Sequence, residues 1–195
     1  MAGFSDLNLE ASVVAGLRAG EADALTDAYR VLAPAIFGLC VRVLGERQLA
    51  EEVMQDTFVD LMEKVGSLRD DTAVVAWVRK VAINHCLMRL RSPWYRRRTQ
   101  SEPAERVDDG DGALRLGNLR DLERALLQLG AKTRLVIWLH DVEGYTHKEI
   151  GDLLGKTSSY SKSQLARGYR RLEALYGGTQ DEGTAAIRIR PAGAT

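Results

Sequence analysis

The chain is 195 residues long, with 27 basic against 27 acidic residues, a formal net charge of zero and a hydrophobic fraction of 45%. That is enough apolar material for one ordinary domain or two small ones, and a zero balance argues against a protein that grips DNA unaided, which tends to be basic overall. No apolar run approaches the roughly 20 residues of a membrane span, and MAGFSDLNLE lacks the basic start and apolar middle of a signal peptide, so no membrane insertion and a cytoplasmic address are expected. Cys40 and Cys86 lie far apart with no CxxC or Cys/His cluster, which reads as reduced core thiols and no metal site.

In chain order, residues 5–19 carry Leu7, Leu9, Val13, Val14 and Leu17 at helical spacing. Residues 21–44 carry Leu25, Ala28, Tyr29, Leu32, Ile36, Leu39, Cys40 and Val43, and Pro34 is expected to break or bend this second helix. From Leu49 to Val65 the set Val53, Phe58, Leu61, Met62 and Val65 faces inward, leaving Glu51, Glu52, Gln55, Asp56 and Asp60 outside on an acidic amphipathic helix. A polar loop, GSLRDDT, separates it from a helix over about Ala73–Leu90 whose core candidates are Trp77, Val78, Val81, Ala82, Cys86 and Leu90. No segment reads as a strand.

Composition changes at Ser92. SPWYRRRTQSEPAERVDDGDGALRLGN is rich in Pro, Gly, Ser and charge, which marks a flexible connector. The expected organisation is an N-terminal domain over 1–92, a linker over 93–118, a second helical domain over 119–176 and a disordered tail over 177–195. The second domain resumes with Leu122, Ala125, Leu126 and Leu129, then Leu135, Val136, Trp138 and Leu139, up to Gly144. The fold class is all-α: two small helical domains joined by a flexible linker.

The stretch THKEIGDLLGKTSSYSKSQLARGYRRL, Thr146 to Leu172, reads as two short helices around a tight turn. Thr146 and Glu149 have capping-box spacing, Ile150, Leu153 and Leu154 form an apolar face, and Gly155 stands where a left-handed residue ends a helix. Ser158 or Ser159 can cap the second helix, with Leu165, Tyr169 and Leu172 as its buried stripe and Lys162, Ser163, Gln164, Arg167 and Arg170 toward solvent. Such side chains suit base edges and phosphates, although an amphipathic hairpin with a merely solvated basic face has the same pattern.

Several motifs, in order, resemble the extracytoplasmic function (ECF) group of bacterial RNA polymerase sigma factors. LAEEVMQDTFVDLM is similar to the family's acidic helix, AWVRKVAINHCLMRLR to its WLxxIAxNxxxxxxR helix, and the run from LERALLQL to GYRRL to its C-terminal domain, including Arg134, the Glu143–Gly144 pair, Glu149–Ile150 and Lys162–Ser163. The likeness spans about residues 20–176.

The resemblance implies a factor that joins core RNA polymerase, recognises the −35 and −10 elements of promoter DNA and stabilises the melted strands. Such factors need no cofactor and are commonly held by an anti-sigma factor. Glu51, Glu52, Gln55 and Asp56 would dock on the polymerase. Leu68, Arg69, Asp70, Asp71, Thr72 and Asn84 would hold an extruded base of the −10 region, with Arg89 and Arg91 beside it; Asn84 could instead make a helix-packing hydrogen bond. Ser159, Tyr160, Lys162, Ser163, Gln164 and Arg167 would enter the major groove at −35. Family members usually carry Val where Ser161 stands and Arg where Gln164 stands, which implies an unusually polar inward face and an altered −35 preference, since Gln suits adenine and Arg guanine. A stand-alone repressor and a degenerate homologue acting only as an interaction module are the alternatives. An enzyme is disfavoured because His85, His140 and His147 show no pairing with a nucleophile and no ligand spacing.

Overall fold

The computed structural model describes residues 4, 7–68, 70–95 and 119–176, with side chains throughout except at 119–122 and 176. Arg69, the arginines 96–98, most of the expected linker and the tail lie outside the described residues. Two compact units divide between Arg89 and Leu90, slightly before the change of composition at Ser92. Among the described residues there is no strand.

The first unit is built on α1 (Ala11–Ala19), α2 (Ala22–Leu44), α3 (Arg47–Lys64) and α4 (Val74–Arg91), whose last two residues pass the division. Its core joins Val14 and Leu17 of α1, Ala28, Leu32, Ile36, Leu39, Cys40 and Val43 of α2, Val53 and Leu61 of α3, and Val78, Ala82, Ile83 and Cys86 of α4. The two thiols meet there, Sγ to Sγ 3.6 Å, as free buried cysteines. The break that Pro34 could have made does not occur: α2 runs on through it as one helix. Pro34 and Arg30 both lie on the exposed side, so the carbonyl deprived of its N–H partner is on the side facing water. Also contrary to expectation, α2 is long and apolar enough by composition to cross a membrane; here it is a core helix packed against α1 and α3.

Helical periodicity located the apolar stripes but misjudged their centres. Met62 is 57% exposed rather than inward, and Trp77 and Val81 share a half-buried flank of α4 beside the true stripe of Val74, Val78, Ala82 and Cys86. Between α3 and α4 the chain makes two short 3-10 turns, Val65–Ser67 and Asp71–Ala73.

In the second unit, residues 93–95 are helical where a connector was expected to begin. Ser92 Oγ accepts from the Tyr95 N–H at 3.1 Å and Pro93 holds the first helical position, where its missing N–H costs nothing. Then come α5 (Leu119–Leu127), α6 (Ala131–Ile137) prolonged by a π turn over Trp138–Val142, α7 (His147–Leu154) and α8 (Ser158–Tyr176). Leu126, Leu129, Leu135, Val136, Ile137, Leu139, Ile150, Leu165 and Leu172 fill the core. Buried Arg134 donates to the carbonyls of Leu127 and Leu129 and so closes the open end of α5.

Candidate nucleic-acid interface

The helix-turn-helix is formed by α7 and α8. Its entry is the capping box: Thr146 Oγ1 accepts from the Glu149 N–H at 3.3 Å while Glu149 Oε2 accepts from the Thr146 N–H at 2.8 Å. Its turn leaves α7 at Gly155, whose φ of 63° is the left-handed value that glycine takes without strain. The turn is tight because Gly151, on the buried face of α7, has no side chain: a Cβ there would lie 2.9 Å from Lys156 O and from Thr157 C and 3.0 Å from Ser158 N. The cap of α8 is Thr157, whose Oγ1 accepts from the Tyr160 N–H at 3.3 Å, not Ser158 or Ser159 as expected. Both serines are therefore left on the exposed first turn.

The inward face of α8 is Ser161, Leu165, Gly168 and Leu172. Tyr169, expected on this stripe, lies to one side at 39% exposure and donates its hydroxyl to Asp141 Oδ2 at 2.8 Å. Burial and the Asp141 carboxylate push its phenol upward. Ser161 is fully buried, and its hydroxyl is satisfied by His147 Nδ1 at 3.0 Å. The His147 ring stacks on His140, centroids 4.5 Å apart, and His140 Nδ1 pairs with Asp141 Oδ1 at 2.7 Å. Burial, then the nearby His140 and Lys162, lower the His147 pKa and favour its neutral form. The polar inward end of α8 thus closes on His147.

Opposite that face, Ser159, Lys162, Ser163, Arg167 and Arg170 are exposed and Tyr160 is half-exposed. Gln164 departs from the set. It is half-buried, and its side-chain carbonyl accepts from the Thr133 hydroxyl of α6 at 2.7 Å.

In the first unit, Gln55 is exposed and Glu51, Glu52 and Asp56 are half-exposed on α3. Exposed Val59 and Met62 continue that outer face. The structure brings two expected groups together: Arg89 of α4 lies 3.0 Å from Asp56 and 3.4 Å from Glu52. One turn further along, His85 Nε2 meets Asp60 Oδ2 at 2.7 Å, and hydrogen bonds from Lys64 first and His85 second hold the Asp60 carboxyl below its ordinary pKa. The signal for this ladder was present in the four-residue spacing of Glu52, Asp56 and Asp60 against that of His85 and Arg89.

The loop after α3 is shaped by Asp70, whose Oδ1 accepts from the Thr72 N–H at 2.9 Å and the Thr72 hydroxyl at 2.7 Å, bonds that lower its pKa. Thr72 is exposed, Leu68 and Asp71 half-buried. Asn84 is exposed one face away from the core, and among the described residues its side chain makes no packing hydrogen bond; Arg91 is exposed at the end of α4.

A helical unit with an acid-faced helix, followed by one ending in a helix-turn-helix with hydroxyls and cations on its outer arc, has the layout of a DNA-binding transcription factor. Residues 28–96 match the family model "Sigma-70 region 2" and residues 119–172 match "Sigma-70, region 4". The RNA polymerase sigma factor CarQ of Myxococcus xanthus is 31% identical over 166 residues, 82% of this chain and 93% of that protein. The ECF RNA polymerase sigma factor SigW of Bacillus subtilis is 25% identical over 169 residues, 80% and 90% of the two chains. Among solved structures, the sigma factor RpoE of Bartonella quintana, crystallised with the anti-sigma factor NepR, shares the fold with a TM-score of 0.51 at 19% identity, covering 80% of this chain and 98% of that one. The chain belongs to the ECF sigma factors, and its function is promoter-specific transcription initiation with core RNA polymerase.

Proposed function

We propose that α8 reads the −35 element through Ser159, Tyr160, Lys162, Ser163 and Arg167, that the loop Leu68–Thr72 with Asn84, Arg89 and Arg91 captures the melted −10 strand, and that Glu51, Glu52, Gln55 and Asp56 dock on the polymerase. The observation that carries this reading is the division of α8 into a buried face and an opposite arc of hydroxyls and cations, presented beyond a turn as tight as Gly151 allows. Gln164, turned toward Thr133, serves the seating of α8 instead of the adenine contact expected of it. Val59 and Met62 extend the docking face with apolar area, so the polymerase contact is part ionic and part hydrophobic.

In this reading residues 1–92 and 119–176 are the two promoter-reading domains, 93–118 the linker that sets their separation, and 177–195 an accessory tail. The chain performs no bond chemistry itself; the polymerase catalyses. It acts in the cytoplasm, and an anti-sigma factor, like the one bound to RpoE of Bartonella quintana, holds it inactive by covering these same surfaces. Transcription reconstituted with core polymerase and a randomised promoter library tests the reading. Both elements should emerge, and Arg167→Ala should weaken −35 selection alone; initiation without any −35 preference would refute it.

A further inference from the structure

The loop Leu68–Thr72 is internally shaped by Asp70 and Thr72, but those bonds fix only its curvature. Among the described residues, a side chain from a distant place in the sequence ties it to the body of the unit. Arg18, in the last turn of α1, donates through Nη2 to the carbonyl of Leu68 at 2.7 Å and pairs with Asp71 Oδ1 at 2.6 Å. Its guanidinium therefore holds the loop at both ends, fifty residues away in sequence.

The base from which Arg18 reaches is itself fixed. Val14, Gly16 and Leu17 are buried, and α1 approaches α2 so closely at Gly16 that a Cβ there would lie 2.6 Å from the Ala24 Cβ. The Glu21 N–H donates to the Gly16 carbonyl at 2.9 Å, so the α1–α2 corner is hydrogen-bonded as well as packed. Both contacts are made by the single nitrogen Nη2, whose two N–H bonds are fixed in the guanidinium plane, whereas a lysine ammonium, a point charge on a flexible stem, holds the two oxygens less firmly. Residues 11–19 lie outside the stretch that matches the family model, which starts at residue 28.

We propose that Arg18 is a positioning residue for −10 recognition: it holds Leu68 and Asp71 so that the loop presents a preformed pocket edge to the extruded base. Without it the loop keeps its Asp70 turn but wanders relative to Asn84, and each capture of a base then carries the entropy of ordering the loop. This rests on the proposed role of the loop and Asn84 in −10 capture.

The test uses holoenzyme reconstituted from the full chain and core polymerase, with promoters carrying single-base substitutions across the −10 or the −35 element. Because the pair is partly exposed, Arg18→Ala should narrow the discrimination between the best and substituted −10 promoters by about fivefold. Discrimination at −35 and affinity for core polymerase should stay unchanged, and Arg18→Lys should recover only part of the loss. If Arg18→Ala leaves −10 discrimination intact while Asn84→Ala abolishes it, the positioning role is wrong and the loop reading stands. If neither variant alters it, the loop reading itself fails. An equal loss on every promoter together with weakened core binding would also overturn the proposal, since that is the effect of a merely structural arginine.

Discussion

Gly151→Ala should uncouple the two promoter contacts of this factor. The added methyl would stand 2.9–3.0 Å from three backbone atoms of the turn, Lys156 O, Thr157 C and Ser158 N. Ordinary contact distances begin about half an ångström further out, and main-chain atoms in a turn bounded by Gly155 and the Thr157 cap have no flexible end to swing aside. Overpacking of this kind costs about 1–3 kcal/mol, here toward the upper end, while replacing a mid-helix glycine by alanine returns about 1 kcal/mol of helix propensity. The net is a loss of about 2 kcal/mol, on the order of 10 °C in the melting temperature of a domain this small. Hydrogen exchange over residues 158–172 of the full chain should speed up while α2 stays protected, and transcription should fall on −35-dependent promoters more than on promoters selected for their −10 sequence. Gly66 is the control: a Cβ added there would meet nothing within 4 Å, and Gly66→Ala should be neutral. A Gly151→Ala protein with unchanged exchange and unchanged −35 selection would show that the turn is not constrained as argued.

Asp56→Asn removes the nearer of the two acids on Arg89 and should tighten binding of a single-stranded −10 oligonucleotide to the free factor by about threefold, with weaker binding to core polymerase; an unchanged oligonucleotide affinity counts against Arg89 as a DNA contact. For His147 the folded pKa lies below the ordinary value, so the folded state binds fewer protons than the unfolded one; the second unit should be most stable above about pH 6.5 and lose stability as pH falls below it, read as lower exchange protection, relative to the intrinsic rate at each pH, over residues 158–172. His147→Gln should flatten that dependence. Gln164→Ala should select the same −35 sequence from a promoter library while costing about 1 kcal/mol of stability through the stranded Thr133 hydroxyl, and a changed base preference would restore Gln164 to the DNA face.

How far these features were legible depended on whether their causes are local. The Thr146–Glu149 box and the Gly155 stop were readable because each is decided within a few residues. The cap of α8 was not, because TSS offers three hydroxyls in a row and only the backbone path selects Thr157. Met62, Trp77 and Tyr169 were misplaced for a different reason: a 3.6-residue period gives the spacing of a stripe, but which neighbour sits over its centre is a tertiary fact. The same holds for the partners of Ser161 and Gln164, since His147 and Thr133 stand 14 and 31 residues away. Asp60 with His85 and Arg18 with Asp71 are likewise made only by folding.

The zero net charge acquires a physical meaning from the α3–α4 ladder. Glu52 and Asp56 on one helix face Arg89 on the next, so part of the cation supply of the proposed −10 surface is neutralised within the unit. Pairs of this exposure contribute little to stability, about 1 kcal/mol or less each, so exchanging them for other partners costs little. A basic polymerase surface that takes Glu52 and Asp56 would leave Arg89 to the phosphates of the melted strand. Docking would thereby raise the DNA affinity of a surface it does not touch. A chain neutral by itself and latent on DNA is what such an exchange requires, because strong unpaired cations would hold the factor on non-specific DNA before it found the polymerase.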